Sequence, residues 1–159
     1  MIKAGQQAPE FELPDNNGDI VKLVDFRGKK NVVLFFYPKD FTGGCTAEAC
    51  SFRDSYEDFT DAGAEVIGIS SDDVISHRKF SERYKLPFIL LSDKGGKVKK
   101  QFGVKDDLFG LLAGRVTFVI NKEGKIVSLR KSISEKIDNR LANVNLERIQ
   151  RKKDKTIDI

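Results

Sequence analysis

The stretch Asn31-Val-Val-Leu-Phe-Phe-Tyr-Pro-Lys-Asp-Phe-Thr-Gly-Gly-Cys45 decides the fold of this chain. Its first seven residues are mostly β-branched and aromatic and lack polar alternation, which is typical of a strand buried on both faces of a sheet. Pro38 ends the strand, residues 39–44 have the composition of a loop, and Cys45 begins a predicted helix. A buried strand that leads through a short loop into a helix indicates an α/β fold.

The rest of the chain alternates between strand and helix patterns. Asp15-Asn-Asn-Gly18 is a turn signal between two apolar alternations, so residues 11–23 predict a small N-terminal β-hairpin. Asn121-Lys-Glu-Gly124 predicts a second hairpin between the last two strands, which makes the central sheet mixed, with helices on its faces. The other predicted elements are strands at 64–70, 88–91, 115–120 and 126–130 and helices at 45–62, 72–86, 95–102 and 134–153.

Length and composition indicate a soluble globular protein. The chain has 159 residues, of which 40% are hydrophobic and 33% charged, as in an ordinary domain. Two cysteines are too few for a disulfide scaffold, and a single histidine leaves little for a metal site, so we expect no metal. That histidine, His77, lies beside Arg78 and Lys79 in a predicted helix, and we expect it at the surface.

The net charge of +4 lies in residues 130–159, and residues 1–129 are neutral overall. A basic tail can attract nucleic acid or anionic lipid, but we favour the simpler interpretation of a solvated helix end and a frayed terminus. No apolar run approaches the length of a membrane span, and residues 1–9 lack a signal-peptide pattern. We therefore expect one domain over residues 1–147, a basic tail over residues 148–159, no specific nucleic acid and no membrane partner.

Cys45 occupies a chemically favoured position. The first backbone N–H groups of a helix are unpaired and the helix dipole is positive there, so both favour a thiolate over a thiol. We therefore expect the pKa of Cys45 to be lowered below the usual value of about 8.5, which would make this cysteine a nucleophile. The alternative is that Cys45 is an inert small residue at a helix start.

Cys50 follows five residues later. In a regular helix the two Cα atoms would be about 8–9 Å apart, beyond the span of a disulfide. The spacing therefore argues against a structural disulfide but allows a transient one after local unfolding, which Gly43 and Gly44 would ease. The alternative is a thiol that packs under a neighbouring element.

Three further residues are candidates for a site around Cys45. Thr42 can place a hydroxyl near the sulfur, and Pro38 can shield the sulfur from water. Arg115 begins a late strand, and its guanidinium would reach Cys45 if that strand neighbours the first one. Taken singly, each has a simpler interpretation: Thr42 as a helix cap, Pro38 as a strand stop and Arg115 as a surface ion-pair partner.

Together these residues form Pro-x-x-x-Thr-x-x-Cys over residues 38–45, after a buried strand and at the opening of a helix. This arrangement resembles the active site of the peroxiredoxins. The five-residue spacing from Cys45 to Cys50 resembles the bacterioferritin-comigratory, or Q, subfamily. The resemblance covers about residues 4–145 and includes residues 52–55, 68–70, 86–93 and 114–120.

The resemblance implies a thioredoxin-like fold with an N-terminal β-hairpin extension. It assigns Cys45 as the peroxidatic cysteine and Cys50 as the resolving cysteine. The other implied site residues are Thr42 and Arg115, with Pro38, Gly44 and Glu48 around the substrate pocket.

The resemblance also implies an activity. The Cys45 thiolate would reduce hydrogen peroxide and organic hydroperoxides, become a sulfenic acid and form a disulfide with Cys50, which thioredoxin or a similar dithiol would reduce. No cofactor is expected, and the protein is expected to be a monomer or weak dimer that serves antioxidant defence. Its expected compartment is the cytoplasm, or the plastid stroma or thylakoid surface if a transit peptide has been removed.

The chain departs from the subfamily pattern at two positions. Gly43 and Ala113 stand where the subfamily usually has proline, which favours easier unwinding of the first helix. Apolar residues near the motif are candidates for a rim that accepts bulky peroxides, although they are equally compatible with a core: Phe41, Phe109, Leu111 and Leu112.

Three other functions fit parts of the sequence. A thiol–disulfide oxidoreductase would share the fold, but such enzymes typically use Cys-x-x-Cys, which this chain lacks. A binding module that acts through the basic tail would show salt-sensitive binding lost on deletion of residues 148–159. A purely structural thioredoxin-like domain would leave the arrangement around Cys45 unexplained.

Overall fold

The apolar stretch that begins at Asn31 is the central strand of a five-stranded mixed sheet. The structure, a computed structural model, describes residues 2–105 and 115–131. Its strands are β1 (Glu12–Pro14), β2 (Ile20–Lys22), β3 (Asn31–Phe36), β4 (Ala64–Ser70), β5 (Ile89–Ser92), β6 (Val116–Ile120) and β7 (Ile126–Lys131). Its helices are a 3-10 turn (Leu23–Phe26), α1 (Gly43–Asp54), α2 (Tyr56–Asp61), α3 (Val74–Tyr84) and α4 (Lys97–Gln101).

The sheet has the order β5-β4-β3-β6-β7, and β1 and β2 form a separate hairpin. β3 pairs in parallel with β4 and antiparallel with β6, so the predicted mixed sheet with an N-terminal hairpin is confirmed. The parallel pairs need helical crossovers, which α1, α2 and α3 supply. The predicted helix at 134–153 and the boundary between residues 147 and 148 lie outside the described residues.

Alternate residues of β3 supply two hydrophobic cores on opposite faces of the sheet, because successive side chains of a strand point to opposite sides. Val32, Leu34 and Phe36 pack into the core shared with the hairpin and α4. Val33 and Phe35 pack into the core shared with α1, α2 and α3. All six residues of β3 are buried, as the absence of polar alternation predicts.

The predicted helix at residues 45–62 is wrong in two details. The observed helix begins two residues earlier, at Gly43, and is divided into α1 and α2 at Ser55, which has φ −105° and ψ 6°. Serine favours helix ends because its side chain competes for backbone hydrogen bonds. The division leaves both cysteines in α1, whereas α2 is a separate short helix.

No helix within the described part of the chain combines the length and apolar character needed to cross a bilayer.

Candidate functional site

Cys45 lies in the first turn of α1, directly after the loop that follows β3. Its side chain is 1% exposed and belongs to the core on the α1 side of the sheet. The register of the sheet places Arg115 nearby, because Val116 pairs with Phe36 at the end of β3. Residues that are 70 positions apart in the sequence therefore meet at one edge of the sheet.

The guanidinium of Arg115 covers the start of α1. Its Nη2 donates to Sγ of Cys45 at 3.4 Å. A Cβ atom on Gly44 would lie 2.3 Å from the same Nη2 atom and 3.0 Å from Cζ, so only glycine leaves room for the arginine there. The resemblance places Gly44 in the pocket. Because Gly44 has no side chain, it leaves space there for the guanidinium of Arg115.

Thr42 lies at the N-cap position of α1, but its side chain makes no capping bond. The hydroxyl donates instead to the carbonyl oxygen of Lys39 at 2.9 Å. The interpretation of Thr42 as a side-chain helix cap is therefore wrong. The hydroxyl has one proton, so it stabilises the Cys45 thiolate only when it turns that proton from Lys39 to the sulfur, and such a hydrogen bond lowers the pKa of Cys45. Pro38 is half-buried two residues beyond β3, at the start of the same loop.

Burial raises the pKa of the Cys45 thiol above its ordinary value, because a thiolate loses its hydration there. Hydrogen bonds with Thr42 and with the backbone of Lys39 lower that pKa, as does the charge of Arg115. The lowered pKa expected from the helix start alone is therefore wrong in its net direction, since desolvation outweighs the favourable contacts. Thr42, the Lys39 backbone and Arg115 are the groups that favour the thiolate against this burial.

Glu48 lies three residues after Cys45 in α1 and is 1% exposed. Its negative charge raises the pKa of Cys45, so it opposes Arg115. Glu48 therefore belongs to the electrostatic environment of the sulfur, whereas its place around the substrate pocket stays a prediction.

Cys50 lies in the same helix, and both cysteines are free thiols. A regular helix keeps their Cα atoms about 8–9 Å apart, so the first turns must unwind before the sulfurs can meet. The helix is anchored just beyond Cys50: the buried ring of Phe52 stacks on Phe35 at 4.6 Å, and Arg53 donates to the carbonyl of Tyr84 at 2.8 Å. Unwinding of the segment before these anchors withdraws Cys45 and Ala49 from the core but leaves Phe52 in place.

His77 is completely buried, so its predicted surface position is wrong. Its Nδ1 lies 2.7 Å from Oδ2 of Asp40 and its Nε2 lies 2.9 Å from the carbonyl oxygen of Leu91. The charged neighbours Arg78 and Lys79 are exposed because successive helical residues point in different directions. The signal that was missed is the three-residue spacing from His77 to the buried Phe80, which places both on one face of α3.

Asp40, Asp72 and His77 bring potential metal ligands within 4.8 Å of one another. The carboxylates already accept hydrogen bonds, and both nitrogens of His77 already have partners. These polar atoms are satisfied by protein groups, so the cluster is a hydrogen-bonded network of the loop before α1 rather than a metal centre.

Two surface features can be compared with the position of Cys45: the predicted apolar rim and an open groove. Phe41 is 49% exposed, whereas the other rim candidates, at 109, 111 and 112, lie outside the described residues, as does Ala113. An open groove runs between the N-terminal hairpin and α4, and none of the residues around Cys45 line it.

Fold and site together define a class: a thioredoxin-like fold that buries a cysteine at a helix start beneath an arginine. A family model described as the AhpC/TSA family matches residues 4–129. Because this match covers most of the sequence, the chain belongs to the AhpC/TSA family.

The similar proteins specify a subfamily. Peroxiredoxin Q, chloroplastic, from Oryza sativa subsp. japonica is 56% identical over 125 residues, which cover 79% of this chain and 57% of that protein. The resemblance to peroxiredoxin Q found in the sequence is therefore confirmed. The chain spans less than three fifths of the length of this curated relative.

Solved structures of similar proteins support the same family and fold. Peroxidoxin BcpB from Mycobacterium tuberculosis superposes with a TM-score of 0.86 at 39% identity, covering 94% of this chain and 99% of that one. A Xanthomonas campestris bacterioferritin comigratory protein, described for its alkyl peroxide reduction activity, superposes with a TM-score of 0.80 at 28% identity, covering 88% of this chain and 92% of that one. The thioredoxin-like fold predicted from the sequence is thus confirmed.

Proposed function

We propose that this protein is a thiol-dependent peroxidase that reduces hydrogen peroxide and organic hydroperoxides through Cys45. The observation that carries the proposal is the contact of Arg115 with the buried sulfur of Cys45 at 3.4 Å, beside a glycine that leaves space for the guanidinium. An inert core cysteine needs no such partner. A cationic donor at a buried sulfur stabilises both the thiolate and the charge that grows on a reacting oxygen.

In the proposed first step, the Cys45 thiolate attacks the terminal oxygen of the hydroperoxide. The new bond joins sulfur to oxygen, the O–O bond breaks, and the leaving oxygen takes up a proton to become water or an alcohol. Sulfur is oxidised by two electrons to a sulfenic acid and the peroxide is reduced by two. Arg115 and Thr42 are proposed to hold the two peroxide oxygens and to stabilise the charge on the leaving one.

In the proposed second step, the Cys50 sulfur attacks the sulfenic acid, the S–S bond forms and water leaves. This step requires α1 to unwind at its start, which the glycines at 43 and 44 ease and the anchors at Phe52 and Arg53 limit. An external dithiol protein of the thioredoxin type then reduces the disulfide by thiol–disulfide exchange. The free thiols and their shared helix support this sequence of steps.

The names of the similar proteins support two further proposals. The alkyl peroxide reduction activity of the Xanthomonas campestris relative supports organic hydroperoxides as substrates. The chloroplastic designation of the curated relatives supports the plastid alternative for the compartment, whereas the cytoplasmic prediction stays untested. A monomer or weak dimer likewise stays a prediction.

The test is peroxide consumption coupled to thioredoxin and thioredoxin reductase, measured for wild type, Cys45→Ser and Cys50→Ser. We expect turnover by wild type, no turnover by Cys45→Ser, and at most one turnover by Cys50→Ser with this reductant. Peroxide consumption by Cys45→Ser at the wild-type rate would show that the proposed function is wrong. Reduction of insulin disulfides without peroxide consumption would identify a thiol–disulfide oxidoreductase instead.

A further inference from the structure

The loop between β3 and α1 contains an unusual backbone conformation. Among the residues that the structure describes, two non-glycine residues have positive φ: Lys85 at the end of α3, and Phe41 in this loop with φ 65°. A bulky residue in the left-handed region is strained and persists only when its surroundings fix it. Phe41 lies directly before Thr42, so whatever fixes this conformation also places the Thr42 hydroxyl.

Asp40, on the other side of Phe41, is 3% exposed and is held at both its backbone and its side chain. Its backbone N–H donates to Asp72 at 2.8 Å. Its carboxylate accepts hydrogen bonds from the Tyr37 hydroxyl at 2.6 Å and from the Ser76 hydroxyl at 2.8 Å. The buried carboxylate of Asp40 therefore ties the loop to α3, and its backbone N–H ties the loop to the segment before α3.

His77 completes this network from α3. Its Nε2 faces the carbonyl oxygen of Leu91, which can only accept, so Nε2 carries a proton. Its Nδ1 lies 2.7 Å from the carboxylate of Asp40, and an ionised carboxylate can also only accept. With Asp40 ionised, both ring nitrogens donate and the two residues form a buried ion pair beneath the loop.

We propose that Asp40 and His77 form a positioning pair that holds Phe41 in its left-handed conformation and thereby presents Thr42 to Cys45. Neither residue of the pair contacts the sulfur, so the pair acts through the loop. The role of Thr42 in peroxide chemistry rests on the proposed function, whereas its effect on the thiol does not.

The pair controls a measurable property of Cys45. Two of the contacts that lower the pKa of Cys45, those with Thr42 and with the backbone of Lys39, come from this loop. When the pair is broken, the loop relaxes and these contacts weaken. The increase in the pKa of Cys45 that burial causes is then offset less. The pKa of Cys45 therefore rises further.

The test measures the pH dependence of Cys45 alkylation by iodoacetamide in Cys50→Ser protein, where Cys45 is the only thiol. His77→Gln keeps a donor toward Leu91 and removes the one toward Asp40, and Asp40→Asn removes the charge of the acceptor. We expect each to move the alkylation midpoint to higher pH by about one unit, which lowers the alkylation rate at neutral pH about tenfold. His77→Asn keeps a donor on the Asp40 side, so its alkylation midpoint should lie between that of His77→Gln and that of the parent.

The matched control is Tyr56→Phe, which removes a hydrogen bond of 2.9 Å between a tyrosine and the carboxylate of Glu65 in another part of the molecule. Its midpoint should equal that of the parent. Unchanged midpoints in folded His77→Gln and Asp40→Asn would overturn the proposal, as would an equal shift in Tyr56→Phe. If His77→Gln does not fold, Asp40→Asn decides: a raised midpoint supports the pair, and an unchanged midpoint overturns it.

This readout needs no peroxide. A wild-type protein that consumes no peroxide, but whose alkylation midpoint rises in the variants, would overturn the proposed function and leave the positioning pair in place. The reverse result, peroxide turnover with unchanged midpoints in the variants, would overturn the pair alone.

Discussion

Nη2 of Arg115 lies 3.4 Å from Sγ of Cys45 although the two residues are 70 positions apart in the sequence. The antiparallel pairing of β3 with β6 places Arg115 at the end of the strand that leads to Cys45. In a core that strips water from the sulfur, this cation and the Thr42 hydroxyl decide how much thiolate forms. The reactivity of Cys45 is therefore a property of the sheet register as much as of the local motif.

The space at Gly44 gives a first prediction. In Gly44→Ala the new Cβ would lie 2.3 Å from Nη2 of Arg115, so the guanidinium must move from the sulfur. We expect the second-order rate constant for Cys45 oxidation by hydrogen peroxide to fall by roughly ten- to a hundredfold, as when one stabilising donor is lost. Stopped-flow measurement of single-turnover oxidation checks this.

Gly43→Ala is the matched control, because a Cβ at Gly43 meets nothing within 4 Å. It adds the same methyl group one residue earlier and should oxidise at the wild-type rate. Equal losses in the two variants would mean that crowding of Arg115 is not the cause.

The charged groups around the sulfur predict that two substitutions shift the pKa of Cys45 in opposite directions. Arg115 stabilises the thiolate and Glu48 destabilises it, so Arg115→Gln should raise the pKa of Cys45 and Glu48→Gln should lower it. The ultraviolet absorbance of the thiolate, titrated in Cys50→Ser protein, measures both. Shifts in the same direction would contradict the assigned electrostatics.

The start of α1 gives a prediction about the resolving step. Gly43 is the first residue of α1, where proline is favoured, and Thr42 before it has ψ 152°, which a following proline requires. Gly43→Pro should stabilise the wound helix by about 0.4–1 kcal/mol. Disulfide formation after sulfenic acid formation should then slow about two- to fivefold, at an unchanged rate of the first oxidation.

Rapid-quench thiol trapping after one equivalent of peroxide follows both steps. Disulfide formation in Gly43→Pro that is as fast as in wild type, or faster, would show that unwinding of this turn does not limit the resolving step.

The buried pair gives a prediction about stability. His77→Ala leaves the carboxylate of Asp40 buried without its main partner, which should lower the free energy of unfolding by about 3–5 kcal/mol. Tyr56→Phe removes a half-buried hydrogen bond and should cost about 1 kcal/mol. Urea unfolding of reduced protein at one pH compares them, and a loss for His77→Ala no larger than for Tyr56→Phe would contradict a buried ion pair.

The sequence was sufficient for the architecture, because the fold depends on patterns that short stretches carry. β3 is buried along its whole length, as its unbroken apolar run predicts. Asp73 caps α3 by accepting from the backbone of Ser76 at 2.8 Å, as an aspartate before an apolar-periodic segment predicts. The proximity of Arg115 to Cys45 also follows from the sequence, once β6 is paired with β3.

Features that depend on the detailed contacts of a side chain with other elements could not be predicted. His77 is buried because Asp40 and Leu91, on other elements, satisfy both of its nitrogens. The pKa of Cys45 depends on the balance between burial and four surrounding groups, which the helix position alone does not reveal. Thr42 occupies a capping position, yet its hydroxyl is directed to Lys39 by the conformation of the loop.

The most direct test of the central claim is mass spectrometry of Cys50→Ser protein after one equivalent of hydrogen peroxide, with a sulfenic acid trap and peptide mapping. We expect one added oxygen, trapped at Cys45, together with the consumption of one equivalent of peroxide. An unmodified Cys45, with the peroxide left unconsumed, would contradict it.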